Sequence, residues 1–179
     1  MNYTVKLKAG AAFPRLEVPD ERGVIRDLSK PTGGCDWMMV VVYRGRHCPM
    51  CTRYLNALSP LRGELAQIGV DLAAVSGDSL EQLTRHRDKL SVGFPLYHSL
   101  SVAQMRSLGL WISDPRSPKE TDHPFAEPGV FVINERGTLQ VVDISNNPFV
   151  RPELKTLVSG LRWIRDPSND YPIRGTHPY

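Results

Sequence analysis

The sequence predicts an α/β fold, a three-layer α/β/α sandwich with a central mixed sheet and an N-terminal β-hairpin. Two short apolar segments, residues 37–43 and 72–75, are each followed by helical spacing, and this alternation is typical of parallel strands joined by right-handed crossovers. A third apolar segment, residues 130–133, precedes a turn and another strand pattern, which predicts an antiparallel hairpin. A chain of 179 residues has the length of one domain, so we expect residues 1–179 to form a single unit with its core over about residues 13–164.

The composition excludes several classes of protein. With 41% hydrophobic and 23% charged residues, the chain is too apolar for a disordered protein, and no apolar run approaches the roughly 18 residues of a membrane span. The net charge is +3 and the basic residues are scattered, so no nucleic-acid partner is expected. Residues 1–8 lack the features of a secretory signal, and the 3 cysteines do not form a disulfide framework, so we expect a cytoplasmic protein.

The first half of the chain contains a hairpin, a buried strand and a kinked helix. Apolar and polar residues alternate around the turn residues 20–23, which predicts the hairpin within residues 13–28. Residues 37–43 are apolar and rich in β-branched side chains, as in a strand buried on both faces. Helical spacing follows, with Pro60 inside the pattern, so the helix should kink there and end near Gly69.

Capping residues predict the next helix. Residues 72–75 form a second buried strand, and Ser79 is followed three residues later by Gln82. This pair has the spacing of a capping box, in which each side chain bonds a backbone N–H at the helix start. A helix from Ser79 through about Arg87 follows from it.

The second half is predicted to contain a loop, a hairpin and a last helix. Four prolines fall within residues 111–128, which therefore should be irregular. Residues 130–144 predict the antiparallel hairpin, and apolar residues at helical spacing predict a helix beginning at Pro152 and running to Ile164. Residues 165–179 are expected to form an extended surface tail.

The segment with the clearest chemistry is R-G-R-H-C-P-M-C at residues 44–51, which joins the buried strand to the kinked helix. If Cys48 is the N-cap, Pro49 occupies the first helical position, where its missing N–H costs nothing, and the N–H of Cys51 points at the Cys48 sulfur. The helix N-terminus favours thiolate over thiol. The pattern therefore predicts a lowered pKa and enhanced nucleophilicity for Cys48.

Three basic residues, Arg44, Arg46 and His47, precede the cysteines. The two arginines would add to this positive field, and so would His47 if it is protonated. Cys51 lies one turn inside the helix and should be more buried, and positions three apart share a helix face within disulfide range. The Cys48 and Cys51 pair can therefore cycle between dithiol and disulfide.

Two other interpretations of the cysteine pair compete with redox chemistry. Zinc would need two more ligands, and neither Cys35 nor the 5 scattered histidines form a second paired motif, so no metal is expected. The other interpretation is a pair of inert buried cysteines. Cys35 itself should lie at the far end of the buried strand, beyond disulfide reach of the pair.

Glu127, Pro128 and Gly129 stand directly before the strand at residues 130–133. Pro128 has no N–H for the sheet, so it is either a special backbone geometry such as a cis bond or an ordinary loop proline. Glu127 or His47 could move protons for Cys51. An exposed side chain is the alternative for each.

These residues resemble the peroxiredoxin-like branch of the thioredoxin-fold superfamily, the alkyl hydroperoxide reductase and thiol-specific antioxidant proteins. The resemblance covers roughly residues 13–164 and implies a thioredoxin-like fold. It depends on matching segments in the family's order: the opening unit at 13–28, V-V-V-Y leading to R-G-R-H-C-P-M-C, A-V-S-G-D-S at 74–79, G-F-P-L at 93–96 and P-G-V-F-V-I-N-E-R-G at 128–137.

The active-site pattern departs from that family. That family has the motif Pro-x-x-x-Thr/Ser-x-x-Cys. If its cysteine is aligned with Cys51, Arg44 stands at the proline and Cys48 at the threonine. If its cysteine is aligned with Cys48, Val41 and Gly45 stand there, so neither alignment fits. The family's active-site arginine falls on Pro128, which looks like the cis-proline of thioredoxins and glutaredoxins. The peroxide-activating arginine is thus missing from its usual place, and Arg44 or Arg46 would have to substitute.

The C-P-M-C pair is similar to the C-P-x-C of glutaredoxins, which implies that Cys48 attacks and Cys51 resolves. The peroxiredoxin register would instead make Cys51 the residue that attacks peroxide.

Thioredoxins also carry an acidic residue six positions before the first cysteine. Here that position is Val42, so deprotonation of Cys51 needs another route.

The resemblance implies a thiol-disulfide oxidoreductase that reduces a peroxide or a disulfide through a Cys48–Cys51 cycle. It would need no cofactor, and an external thiol system of the thioredoxin or glutathione type would reduce the resulting disulfide. Oligomers are possible, and no membrane partner is expected. The alternative is a non-catalytic protein of the same fold that uses its thiols to sense oxidation or bind a partner.

Overall fold

A five-stranded mixed sheet forms the centre of the structure, a computed structural model that describes residues 6–178. The strands are β1 (Glu17–Pro19), β2 (Ile25–Asp27), β3 (Trp37–Val42), β4 (Val70–Val75), β5 (Leu96–Tyr97), β6 (Ile112–Ser113), β7 (Phe125–Ala126), β8 (Gly129–Ile133) and β9 (Leu139–Ile144). The helices are α1 (Pro49–Leu58), α2 (Arg62–Gln67), α3 (Leu80–Arg87), α4 (Val102–Ser107) and α5 (Leu154–Arg165). The central sheet has the order β5-β4-β3-β8-β9. Residues 1–5, part of the stretch considered for a secretory signal, and the last tail residue lie outside the described part.

The central strand β3 is buried along its whole length, as its apolar sequence predicts. It pairs in parallel with β4 and antiparallel with β8, and β8 pairs antiparallel with β9. The parallel pair confirms the strand-helix-strand prediction, and the hairpin of β8 and β9 confirms the one predicted for residues 130–144. The sheet is therefore mixed, with the strand that leads to the cysteines at its centre.

Alternate side chains of β3 enter two different cores. Met39 and Val41 pack with apolar residues of α1, α2, α3 and α5 on one face of the sheet. Val40 and Val42 pack with the hairpin of β1 and β2 and with α4 on the other face. Because side chains of a strand alternate between faces, one six-residue strand supports both cores. The predicted three-layer α/β/α arrangement and the N-terminal β-hairpin are confirmed.

The helix after the cysteines is broken where Pro60 predicts it. α1 ends at Leu58, the 3₁₀ turn Ser59–Leu61 follows, and α2 begins at Arg62. Proline lacks the N–H that would continue the α-helical bonding, so the chain changes to a tighter turn. The capping box is also confirmed, since the Ser79 side chain accepts the N–H of Gln82 and the Gln82 side chain accepts the N–H of Ser79.

Four details differ from the sequence-based predictions. The segment 111–128 is not wholly irregular, because β6 and β7 within it pair antiparallel. The last helix begins at Leu154 rather than Pro152, because the Glu153 carboxylate accepts the N–H groups of Lys155 and Thr156 as the N-cap. The short elements β5 and α4 have no counterpart among the predictions. The tail begins with a 3₁₀ turn, Pro167–Asn169.

Within residues 6–178, each helix is too short or too polar to traverse a lipid bilayer.

Gly45 makes the turn between β3 and α1 possible. Its φ of +128° is a backbone conformation that side chains other than glycine rarely adopt. A Cβ atom placed there would overlap Oδ1 of Asp78, whose other oxygen accepts the N–H of Arg46 at 2.7 Å. Asp78 is buried, so it has little room to move. The glycine and the aspartate together fix the loop that carries the cysteines.

We expect Gly45→Ala to lower the free energy of unfolding by about 2–3 kcal/mol, because it combines backbone strain with a steric clash against Asp78. Urea denaturation followed by circular dichroism measures the change. Gly160→Ala is the matched control, since Gly160 lies inside α5 with nothing within 4 Å of the added Cβ. That variant should be about 0.5–1 kcal/mol more stable. Equal effects of the two substitutions would contradict the prediction.

Candidate active site

Cys48 is the N-cap of α1, as the sequence predicts. Its φ of −103° and ψ of 102° are extended, and its sulfur accepts the backbone N–H of Cys51 at 3.3 Å. Pro49 occupies the first turn and is exposed. The buried end of β3 and the fixed turn at Gly45 thus place a sulfur where a capping hydroxyl usually lies.

The two sulfurs of the pair are 2.8 Å apart, and the Cys51 thiol donates to the Cys48 sulfur. Cys48 is 2% exposed and Cys51 is fully buried. Both are free thiols. The Cys48 sulfur therefore receives two hydrogen bonds from one residue, the N–H and the S–H of Cys51, and both favour its charged form.

The pKa values of the two thiols move in opposite directions. The pKa of Cys48 is lowered from 9.0 to about 6, and the hydrogen bond donated by the Cys51 thiol is the largest cause. The Cys51 N–H and the charges of Arg151 and Arg44 lower this pKa further, whereas burial raises it. Burial raises the pKa of Cys51 well above its ordinary value, and the bond that it donates to Cys48 raises it further. The pair therefore holds one thiolate, at Cys48, and one thiol, at Cys51, near neutral pH.

Arg151 contacts the second sulfur, and the sequence analysis missed it. Its Nη2 donates to the Cys51 sulfur at 2.8 Å, and its guanidinium lies 5.0 Å from the centre of the Tyr54 ring. The Tyr54 hydroxyl donates to the carbonyl of Pro152 at 3.1 Å, which holds the segment between β9 and α5 against α1. The contact joins positions far apart in sequence, so no local pattern could indicate it.

Arg44 binds acidic groups of the segment 111–128 instead of a sulfur. Its Nε is 3.3 Å from Glu127 and its Nη2 is 3.7 Å from Glu120. The Ser113 hydroxyl donates to Glu127 at 2.7 Å, and the Arg44 guanidinium lies 4.6 Å from the centre of the Phe125 ring. The proline-rich segment therefore lies against the cysteine motif. Arg44 affects the thiols through its charge and its backbone N–H.

Several expectations for the supporting residues need correction. Glu127 is buried, at 4% exposed, and not on the surface, because Arg44 and Ser113 compensate the burial of its charge. In the described part of the chain it forms no hydrogen bond with either sulfur. Burial and Arg44 lower the pKa of His47, so it is neutral near pH 7 and adds no positive charge. Its ring packs on Phe125, with centroids 4.5 Å apart.

Pro128 and Arg46 also differ from the roles considered for them. Residues 6–178 contain no cis peptide bond, so the cis geometry considered for Pro128 is wrong. Its carbonyl accepts the N–H of Ser145 at 3.0 Å. Arg46 has its backbone N–H bound to Asp78, and its side chain lines a groove beside the motif. Neither residue contacts a sulfur through a hydrogen bond in the described residues.

Cys35 is partly exposed and lies before β3, away from the pair at the other end of that strand. Burial raises its pKa. No group of three or more histidine, cysteine or acidic residues among positions 6–178 is arranged to hold a metal ion.

A dithiol at the N-terminus of the helix that follows the central strand of this sheet defines a thiol protein of the thioredoxin-fold superfamily. The AhpC/TSA family model matches residues 9–142. The chain belongs to the AhpC/TSA family.

Known proteins similar to this chain carry the name peroxiredoxin. Peroxiredoxin Bcp of Escherichia coli (strain K12) is 30% identical over 105 residues, which cover 59% of this chain and 66% of that protein, just under two thirds of its length. A peroxiredoxin of Aeropyrum pernix is 24% identical over 140 residues, or 74% of this chain and 53% of that protein.

Solved structures share the fold at low sequence identity. A mutant of peroxiredoxin 6 from Arenicola marina has a TM-score of 0.75 and 18% identity, covering 90% of this chain and 75% of that one. Peroxidoxin BcpB from Mycobacterium tuberculosis has a TM-score of 0.71 and 19% identity, covering 89% of this chain and 99% of that one. The thioredoxin-like fold is thereby confirmed.

We expect alkylation of Cys48 by iodoacetamide to follow a titration with a midpoint of about pH 6, because only the thiolate reacts. In Cys51→Ala the midpoint should move to higher pH, since the thiol bond that lowers the pKa most is gone. Mass spectrometry of the Cys48 peptide, with reagent quenched at fixed times, gives the rate at each pH. Cys35→Ala is the matched control and should leave the midpoint unchanged. A midpoint near 9 in the unaltered protein would contradict the assignment of the thiolate.

Proposed function

We propose that the protein is a thiol-dependent oxidoreductase that reduces a peroxide through a Cys48–Cys51 dithiol/disulfide cycle. The observation that carries the proposal is the unequal pair, in which a Cys48 thiolate lies 2.8 Å from the Cys51 thiol. The names of its relatives support a peroxide as the oxidant, and a disulfide is the other oxidant that this pair could reduce. A sensing protein would use the same lowered pKa of Cys48, so it is the names of the relatives that favour catalysis over the sensing or binding alternative.

In the first step the Cys48 thiolate attacks the terminal oxygen of the peroxide. The O–O bond breaks, its electron pair leaves on the alkoxide or hydroxide, and a proton from solvent converts that product to an alcohol or water. Cys48 becomes a sulfenic acid, so its sulfur is oxidised by two electrons and the peroxide is reduced by two. A thiolate with a pKa of about 6 is the dominant form at neutral pH.

In the second step Cys51 attacks the sulfur of the Cys48 sulfenic acid, water leaves, and the disulfide forms. Cys51 must first lose its proton, although burial raises its pKa. The Arg151 guanidinium, 2.8 Å from that sulfur, stabilises the thiolate when it appears. The Cys51 proton leaves in the water formed from the sulfenic hydroxyl, so Arg151 stabilises the Cys51 thiolate and does not act as a base.

The contact between Arg151 and Cys51 also favours the reverse order, in which Cys51 attacks the peroxide. Two observations favour Cys48 first. Cys48 caps the start of α1 and is 2% exposed, whereas Cys51 lies three residues further along the chain and is fully buried. The pKa of Cys51 is raised while that of Cys48 is lowered. An external thiol then reduces the disulfide, and a reducing compartment such as the cytoplasm fits the three free thiols.

Turnover with hydrogen peroxide or an alkyl hydroperoxide tests the proposal. The unaltered protein, supplied with a thiol reductant, should consume peroxide catalytically, and Cys48→Ser should abolish turnover because the attacking sulfur is gone. Cys51→Ser should leave a stable sulfenic acid on Cys48, detected by dimedone labelling and mass spectrometry. Cys35→Ser is the control and should retain full activity. Absence of turnover dependent on Cys48 defeats the proposal, and loss of all reactivity in Cys51→Ser supports the reverse order.

We expect Arg151→Met to slow disulfide formation about tenfold to a hundredfold near neutral pH, because a hydrogen bond to a charged group contributes about 1.5–3 kcal/mol. The rate should recover at high pH, where Cys51 ionises without the guanidinium. Stopped-flow fluorescence after mixing with peroxide measures the step. Arg151→Lys should retain part of the rate, and Arg136→Met, an exposed control, should retain all of it. A uniform loss at every pH would indicate a structural role only.

A further inference from the structure

A basic groove of about 890 Å³ opens beside the N-terminus of α1. Its ionic side chains are the cations Arg46, Arg53, Lys89, Arg116 and Lys119 and the single carboxylate Glu120. These cations come from three parts of the chain. One part is α1 and the loop before it, the second is the segment just after α3, and the third is the segment 111–128. The positive charge of this groove is therefore a property of the fold and not of a basic run in the sequence.

Most of the charge in the basic groove has no partner. Arg116 pairs with Glu120 at 3.3 Å, and Glu120 also lies near Arg44. The side chains of the other four cations, Arg46, Arg53, Lys89 and Lys119, form no ion pair with any carboxylate of residues 6–178. Clustered unpaired cations in a concave site raise the local concentration of anions. The groove is complementary to a ligand with more than one negative charge.

The basic groove reaches the cysteine motif on both sides of Cys48 along the chain. Pro49 and His47, the two chain neighbours of Cys48, both line it. Cys51 lies deeper, and Arg151 reaches it from the segment before α5, which lines a different groove. Of these two grooves, the basic groove is the one lined by the neighbours of Cys48, so it is the candidate approach for a molecule that attacks the disulfide at Cys48.

We propose that the basic groove binds the reductant of the Cys48–Cys51 disulfide, a small thiol that carries carboxylates, of the glutathione type. This inference rests on the proposed function and names the electron donor. The volume is in the range of about 300–1,000 Å³ that is usual for small-molecule sites, and a concave site of this size fits a tripeptide better than the broad face of a folded reductant. The two carboxylates of glutathione would meet the unpaired cations.

The reaction balances with two thiols. The thiolate of the first glutathione attacks the Cys48 sulfur, the Cys48–Cys51 bond breaks, and the electron pair leaves on Cys51 beside Arg151. The thiolate of a second glutathione attacks the glutathione sulfur of the mixed disulfide and releases the Cys48 thiolate. Two glutathione molecules are oxidised to one disulfide, the protein disulfide is reduced to the dithiol, and the protons of the two thiols pass to Cys51 and to solvent.

The test compares an anionic with a neutral reductant on the full chain. The protein is oxidised with diamide, and its reduction by glutathione and by dithiothreitol is followed by stopped-flow fluorescence at low and high salt. The double variant Lys89→Glu with Lys119→Glu reverses two exposed charges of the groove. The double variant Lys30→Glu with Arg136→Glu makes the same change in charge at exposed positions outside the groove.

We expect the groove variant to reduce the glutathione rate constant about tenfold and to weaken its salt dependence, because the electrostatic attraction is lost. The dithiothreitol rate should change less than about twofold, as should both rates in the control variant. S-methylglutathione, which has the carboxylates but no thiol, should inhibit glutathione in the unaltered protein and much less in the groove variant.

The inference is overturned by equal glutathione rates in the groove and control variants, or by a parallel fall in the dithiothreitol rate. It is also overturned if a thioredoxin reduces the protein rapidly while glutathione does not. Because diamide forms the disulfide without peroxide, failure of peroxide turnover would defeat the proposed function and leave this measurement of the reductant intact.

Discussion

The structure depends on the cap that the Cys48 sulfur provides for α1. A helix leaves its first N–H groups without partners, and a serine or aspartate oxygen usually satisfies one of them. Here a sulfur does so, and the N–H that it satisfies belongs to the residue whose thiol it also accepts. One side chain therefore completes the helix and holds the negative charge, so the local folding of α1 and the reactivity of the pair have the same physical origin.

The rest of the fold keeps this cap in place from three directions. The buried strand β3 delivers the motif, and the turn at Gly45 is locked against Asp78. Arg44 joins the motif to the segment 111–128 through two carboxylates. Arg151 reaches the second sulfur from the segment before α5. Two of these three supports are arginines. Their positive charges favour the thiolate form of either cysteine during the dithiol/disulfide cycle.

The parts of the molecule that the sequence predicts well are those set by local rules. The strand before the cysteines, the capping box at Ser79, the break at Pro60 and the N-cap at Cys48 each follow from residues within a few positions of one another. Arg151 could not be predicted in this way, because its contact with Cys51 joins positions 100 residues apart. The burial of Glu127 was missed for the same reason, since only the folded chain places Arg44 beside it to compensate the charge. Elements as short as β5 and α4 carry too few residues for a periodic pattern.

The lowered pKa of Cys48 has a thermodynamic consequence for the whole chain. In the unfolded protein this thiol titrates near its ordinary value, whereas in the folded protein it is ionised from about pH 6 upward. Between those two values the unfolded chain binds a proton that the folded chain has released, so folding becomes more favourable as pH rises through this interval. Oxidation removes the ionisable group, and with it this contribution. The thermal stability of the protein is thus coupled to its redox state, because only the reduced form contains the Cys48 thiolate that makes this contribution.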